Sequence, residues 1–481
     1  MTPTVTTPAA PSGRRNWLAA AAYFGMLAGA VGLFLWFRSI GEGLTAPDAP
    51  PAAVSVAAPK AGRVDVVAHV LATLAAVIAL GYALGRLLAR VGQPPVIGEI
   101  LAGIFLGPSL LGAISPDAMH LLFPGKDADP HGQVVSALKA VAQLGVVLYI
   151  FLVGLELNAA KLRHHAQAAV AISHTSIVFP FVLGAGLALW LYPHLSHNKV
   201  PFTSFALFMG ATLAVTAFPV LARILHDRGL DRTEAGTVAL GCAAADDVTA
   251  WCLLAFVVGV AQAQVGGAAA TAVGAVLFIA GMFLVVRPVA GWVCRKLEHP
   301  GPLPAAAVPV LFVAVLLSAL ATEAIGVHAV FGAFLLGVMI PHESRLAREV
   351  TRRLKDVVTV LFLPAFFALT GMKTQVGLLA GWEAWLFCGA IILVATLGKF
   401  GGTVAAARLT GHGWRESAAL GAMMNTRGLM GLIVLDIGLD MGVISPTLFS
   451  MMVLMALVTT MATSPALSVL LPAHPAAPPA E

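Results

Sequence analysis

The chain has 481 residues, of which 59% are hydrophobic and only 11% are charged. Soluble domains carry about a quarter charged residues, so this composition excludes a soluble fold and fits a polytopic membrane protein. The formal net charge of +5 resides in loops between apolar runs, so it bears on membrane topology and gives no reason to expect nucleic acid as a partner.

In chain order, the apolar run at 17–37 follows Arg14-Arg15 and lacks a crisp small-x-small cleavage site. An uncleaved extra helix is therefore favoured over a signal peptide. Residues 45–61 are rich in Pro and Ala and read as an exposed linker. From residue 64 onward, about thirteen further spans meet the length of a bilayer helix. They fall near 64–89, 95–113, 133–156, 166–191, 202–225, 234–262, 268–294, 304–322, 326–341, 355–378, 383–408, 415–438 and 445–470. Several are short or interrupted by Gly and Pro. Cys242, Cys252, Cys294 and Cys388 lie inside or at the ends of apolar runs, with no disulfide framework or paired-cysteine metal pattern.

Lysine and arginine in the short loops set the orientation. With Arg14-Arg15 in the cytoplasm, alternation also puts Arg86, Arg90, Lys161, Arg163, Arg228, Arg232, Arg295, Lys296, the cluster at 345–355, Arg408 and Arg415 there. The opposite loops hold few basic residues. Both termini are thus expected in the cytoplasm, with the body in a bacterial inner membrane.

An internal repeat is visible. Ala102-Gly103-Ile104-Phe105-Leu106-Gly107 resembles Gly332-Ala333-Phe334-Leu335-Leu336-Gly337, and the following spans end in Gly154-Leu155-Glu156-Leu157 and Gly371-Met372-Lys373-Thr374. The charge bias places the first ending inside and the second outside. Matching segments that face opposite ways are the signature of an inverted repeat in secondary transporters. The expected division is an extra helix and linker at 1–63, repeats of six helices at 64–262 and 304–471, a linker helix at 263–303, and a tail at 472–481.

The chemistry centres on Asp246 and Asp247, adjacent acids in the apolar run 235–260. An ionisable group at membrane depth is costly, which makes it a functional-site candidate. Spans 202–225 and 415–438 should occupy equivalent inverted positions, and both carry breakers: Thr216-Ala217-Phe218-Pro219 in one, Asn425-Thr426-Arg427-Gly428 in the other. Paired discontinuous helices point to a transport site, although a simple proline kink is the plainer alternative. Lys399 lies too deep in 383–408 to snorkel, so it needs a partner, and the obvious candidates are Asp246 and Asp247. Arg427 reads as structural, offsetting the partial negative charge of a half-helix C-terminus. Glu99 reads as a local hydrogen-bonding residue, and His328 as a packed helix-end histidine. Adjacent helical residues point about 100° apart, so one acid can face an ion pocket with Thr216 while the other faces Lys399. Protons and a cation competing for such a carboxylate would be exchanged as the site alternately faces each side.

These stretches, together with Gln93-Pro94-Pro95-Val96-Ile97-Gly98-Glu99 and Phe151-Leu152-Val153-Gly154-Leu155-Glu156, resemble the monovalent cation:proton antiporters of family 2. That family includes plant cation/proton exchangers and bacterial sodium/proton antiporters of the NhaA-like fold. The resemblance implies an all-α polytopic membrane protein whose roughly thirteen core helices form two inverted repeats with two crossed broken helices. It implies a homodimer in which a mobile core, 162–262 and 383–471, moves elevator-fashion against a dimer domain made of the remainder. By the same resemblance Asp247 is the cation and proton site, Asp246 the acid paired with Lys399, and Thr216 a ligand hydroxyl. Pro219, Asn425 and Arg427 shape the breaks. An Asp-Asp pair implies electrogenic exchange of Na⁺ or K⁺ for protons in the service of pH homeostasis, with no cofactor and no enzyme activity. Gly431 stands where the family often has Glu, so an Arg427–Glu salt bridge is not expected. With no nucleotide-binding domain expected after the last span, a glutathione-gated potassium efflux system is disfavoured.

Three other functional classes are rivals. An intramembrane aspartyl protease needs acids that face each other, usually from different helices, which neighbours on one helix cannot supply. A channel would show a filter of the TVGYG kind and has no need of Lys399 beside a carboxylate. A sodium-coupled symporter of an organic anion on the same fold is the serious alternative.

Overall fold

The computed structural model describes residues 13–48, 65–124, 129, 132–156, 166–230, 233–262, 268–298 and 303–471. Most of the Pro- and Ala-rich linker and the tail from 472 lie outside these residues. Among them, eleven helices are long and apolar enough to cross a membrane, and no strand is present.

The first helices are α1 (Gly13–Gly41), α2 (Val66–Ala89), α3 (Pro95–Leu106), α4 (Gln133–Glu156) and α5 (Ala166–Leu195). Then come α6 (Phe202–Ala214), α7 (Phe218–Asp227) and α8 (Glu234–Gln262). Helix α9 (Ala268–Gly281) continues through a wide π turn into α10 (Arg287–Leu297). The second half runs α11 (Ala307–Ile325), α12 (Ala329–Met339), α13 (Arg345–Val357), α14 (Leu363–Lys373), α15 (Trp382–Thr396), α16 (Gly402–Leu409), α17 (Trp414–Met424), α18 (Leu429–Asp440) and α19 (Pro446–Leu470).

The expected spans 202–225 and 415–438 each become two half-helices, α6–α7 and α17–α18. The span expected at 355–378 starts earlier, because charged α13 runs through a π turn, Val358–Phe362, into apolar α14. The span expected at 326–341 is the short helix α12.

Small residues set the closest packing. α3 lies against α14, and α12 lies against α4. A Cβ added to Gly371 would fall on the Gly103 backbone, and one added to Gly337 would come within 2.9 Å of the Gly154 Cα. Helices approach this closely only where neither residue has a side chain in the way. The four glycines come from the repeated motifs. The short Gly-rich helix of each half therefore packs on the following helix of the other half.

A second group of helices surrounds α5, which packs on α6, α8, α15 and α16; α19 packs on α15, α17 and α18. Helix α1 joins this group. It lies along α5 and α6, with Phe34 and Phe181 ring centroids 5.9 Å apart and Phe37 filling the space left by Gly186. Aromatic packing on α5 thus puts α1 with the helices of the breaks.

Candidate functional site

The break between α6 and α7 begins where helical geometry fails at a proline. In a continuous helix residue 219 would donate its N–H to the carbonyl of residue 215, and Pro219 has no N–H to give. The chain turns extended at Val215 (φ −70°, ψ 134°) and resumes at Phe218, leaving Pro219 in the first turn of α7, where its backbone is favourable. The second break runs from Asn425, which ends α17, to Gly428, which precedes α18. The two breaks meet directly, since the Ala217 N–H donates to the Thr426 carbonyl at 3.0 Å.

The carbonyls orphaned at the end of α6 are taken by two buried cations. Arg427 donates through Nη1 to Thr212 O (2.8 Å) and Val215 O (3.3 Å), and through Nη2 to Leu213 O (2.7 Å). Lys399 Nζ lies 2.5 Å from Ala214 O. Positive charge here offsets the negative end of the half-helix dipole. The partners of the Arg427 guanidinium are thus carbonyls rather than an acid. Thr460 of α19 braces the second break, accepting from the Arg427 N–H at 2.9 Å and donating to the Arg427 carbonyl at 2.6 Å.

Lys399 sits in a π turn, Leu397–Gly401, between α15 and α16, a feature sequence reasoning missed. Such one-turn bulges redirect a side chain and recur at functional sites. Gly398 allows the turn to lie against Pro180 of α5, where an added Cβ would come 2.8 Å from the Pro180 Cα. Lys399 thereby reaches Asp246, with Nζ 2.9 Å from Oδ2, both residues fully buried.

Asp246 is saturated. Besides Lys399, its carboxylate accepts from Ser173 (2.6 Å), Ser176 (2.9 Å) and Thr216 (2.7 Å). The two serines, on α5, were also missed. Their signal was hydroxyls one helical turn apart in an apolar span, a pattern that faces another helix. The Thr216 hydroxyl gives its proton to Asp246. The lysine-paired carboxylate concentrates negative charge beside the break and draws the donors within reach.

Asp247 is the opposite case. It is fully buried, and neither carboxylate oxygen has a hydrogen-bond partner among the described residues. The Phe218 N–H faces it from the break but closes no hydrogen bond. Asn425 Oδ1 is likewise buried without a partner. His328 caps α12, with Nδ1 3.4 Å from the Val330 N–H, as expected. Glu99 differs from expectation, because no hydrogen bond or ion pair reaches it from any described residue.

Two cavities approach from opposite ends. One, of about 600 Å³, is lined by Lys139, Glu323, His328, Asp436 and Asp440. The other, of about 210 Å³, is lined by Glu99, Tyr149, Ala217 and Arg223. On α4, α14 and α18 they take opposite ends: Lys139, Leu369 and Asp440 line the first, and Tyr149, Leu363 and Met430 the second.

Comparison with known proteins follows the same geometry. The transmembrane sodium/hydrogen exchanger family matches residues 74–471. The chain is 42% identical over 406 residues to the Na(+)/H(+) antiporter NhaS4 of Synechocystis, covering 84% of this chain and 97% of that protein. It is 37% identical to cation/H(+) antiporter 18 of Arabidopsis thaliana over 81% of this chain, and spans only 47% of that longer relative. The solved structure of the sodium proton antiporter MjNhaP1 from Methanocaldococcus jannaschii has the same fold, with a TM-score of 0.60 at 15% identity over 84% of this chain and 98% of that one. Exchangers of this family are transporters and not enzymes, and their apolar helices cross the membrane many times. This chain belongs to the transmembrane sodium/hydrogen exchanger family.

Proposed function

We propose that the chain exchanges a monovalent cation, Na⁺ or K⁺, for protons, and that both compete for Asp247. One observation carries the reading. A fully buried carboxylate without a partner sits where two broken helices meet, beside a second carboxylate that is saturated. A permanent charge at that depth needs a counter-ion, and a proton or an alkali cation supplies one. Thr216 gives its proton to Asp246, which leaves its oxygen lone pairs available to a cation, as the hard-ligand preference of Na⁺ and K⁺ requires. Lys399 and Asp246 form the fixed frame, with Arg427, Asn425 and Pro219 holding the breaks open.

Exchange follows by alternating access. The helices of 162–262 and 383–471, with α1 attached, form the moving core of an NhaA-like pair of inverted repeats, 64–262 and 304–471. The reciprocal packing of α3 on α14 and α12 on α4 supports that symmetry. The remaining helices form the dimer domain of a homodimer, joined by the linker helix within 263–303. The end bearing Arg90, Arg228 and Lys355 faces the cytoplasm, and the protein lies in a bacterial inner membrane and serves pH homeostasis. With two acids and one lysine, more than one proton moves per cation, and no cofactor takes part. The relatives named above are antiporters, which leaves the symporter alternative without support.

The test is purified protein in liposomes carrying a pH gradient. Added Na⁺ or K⁺ should dissipate the gradient, and Asp247→Asn should abolish this. Because the proton competes, the apparent cation KM should rise about tenfold per pH unit once Asp247 protonates. A voltage clamp imposed with an ionophore should change the rate. Normal exchange by Asp247→Asn would remove the proposed site, and indifference to the clamp would remove electrogenicity.

A further inference from the structure

Among the described residues, several acids of the apolar helices outside the breaks are paired. Glu156 binds Lys355 at 2.9 Å, Asp436 binds Lys373, and Glu323 accepts the Ala329 N–H at 2.9 Å. Glu99, in the second turn of α3, has no such partner among the described residues. Its side chain passes over Gly81 of α2, where an added Cβ would lie 3.5 Å from the Glu99 Cγ. From there the side chain lines the 210 Å³ cavity at the basic end, beside Tyr149 of α4. Arg223 lines the same cavity and has a partner of its own. Ala217, in the first break, next to Thr216 and to the Phe218 N–H that faces Asp247, also lines the cavity. The two unpartnered acids thus stand on one route, from the basic end to the break. An unpaired carboxylate in a membrane helix is costly to keep, and a wet cavity beside it offers exchangeable counter-ions.

We propose that Glu99 is a second cation-binding carboxylate, an inner station that takes up a monovalent cation at the basic end and passes it across Ala217 to Asp247. It rests on the exchange reading above and adds a binding residue that the break itself does not contain. The station concentrates cations near the break without taking part in the competition there, so its loss acts on uptake more than on turnover.

Exchange kinetics in liposomes with Na⁺ presented at the basic end give the first readout. Glu99→Gln should raise the apparent KM about tenfold while kcat falls less than threefold, and Glu99→Asp should stay close to wild type. Tl⁺, a monovalent cation with an anomalous signal, gives the second. Crystals soaked in Tl⁺ should show density at Glu99 in the wild type and in Asp247→Asn, and none there in Glu99→Gln. An unchanged KM in Glu99→Gln overturns the proposal. So does a fall in kcat together with a lowered melting temperature, which would mark Glu99 as structural. Wild-type liposomes that exchange nothing would sink the exchange reading itself. Wild-type exchange with a normal KM in Glu99→Gln sinks the station alone.

Discussion

At the larger cavity each lining acid has a partner among the described residues. Asp436 and Asp440 hold Lys373 between α18 and α14, Asp440 also meets Lys139 of α4 at 2.7 Å, and Glu323 caps the start of α12. The smaller cavity is lined by Glu99 and by Ala217 of the break, beside Asp247, and neither acid has a partner among the described residues. The same contrast is repeated within a single helical turn at the break, where Asp246 collects four donors and Asp247 none. Saturation therefore separates acids that hold helices together from acids with no partner among the described residues. Sequence position alone does not, since both kinds lie in apolar runs.

Removing a partner from a saturated acid tests this contrast most strongly. Lys399→Met strands Asp246 in the protein interior and should cost about 3–5 kcal/mol, read as a fall in the melting temperature of the purified protein. Asp247→Asn removes no hydrogen bond and should leave that temperature unchanged or higher. If the two variants lose stability equally, saturation does not divide the acids. A smaller loss, roughly 2–3 kcal/mol, is expected for Arg427→Met, which uncovers the buried carbonyls of Thr212, Leu213 and Val215. A wild-type melting temperature in that variant would mean that the half-helix end needs no cap. Lys373→Met should cost least, about 1 kcal/mol or below, because its pairs are partly exposed. That loss should shrink further in high salt, where charges near water are screened. A salt-independent loss would make the outer network a buried one and narrow the difference between the cavities.

Much of the fold was legible. Pro219 lacks the donor its helix position needs, so the break at 215–217 could be read from the residue alone. The two glycine motifs marked the helices that pack most closely, though not which helix each would meet. Lys399 was recognisable as needing an acid because it lay too deep to reach water. Less could be read where a feature depends on neighbours. Ser173 and Ser176 are ordinary in a membrane span until Asp246 is seen opposite them. The π turn at Leu397–Gly401 follows no local sequence rule, and it depends on the approach of Pro180 to Gly398. That the Thr216 proton goes to Asp246 follows from the helix crossing and from no local pattern. Glu99 was expected to be bonded locally and is not.

The sequence by itself determined which groups are expensive. Hydropathy sets depth in the membrane, and depth makes each acid, base and missing backbone donor costly whatever the final packing. Only the tertiary structure decided how each cost is met. Asp246 and Lys399 are 153 residues apart, and Arg427 and the α6 carbonyls are more than 200 apart. Pairing at such separations is fixed by where helices cross, to within the length of a hydrogen bond. The same crossings decide which carboxylate is left without a partner among the described residues.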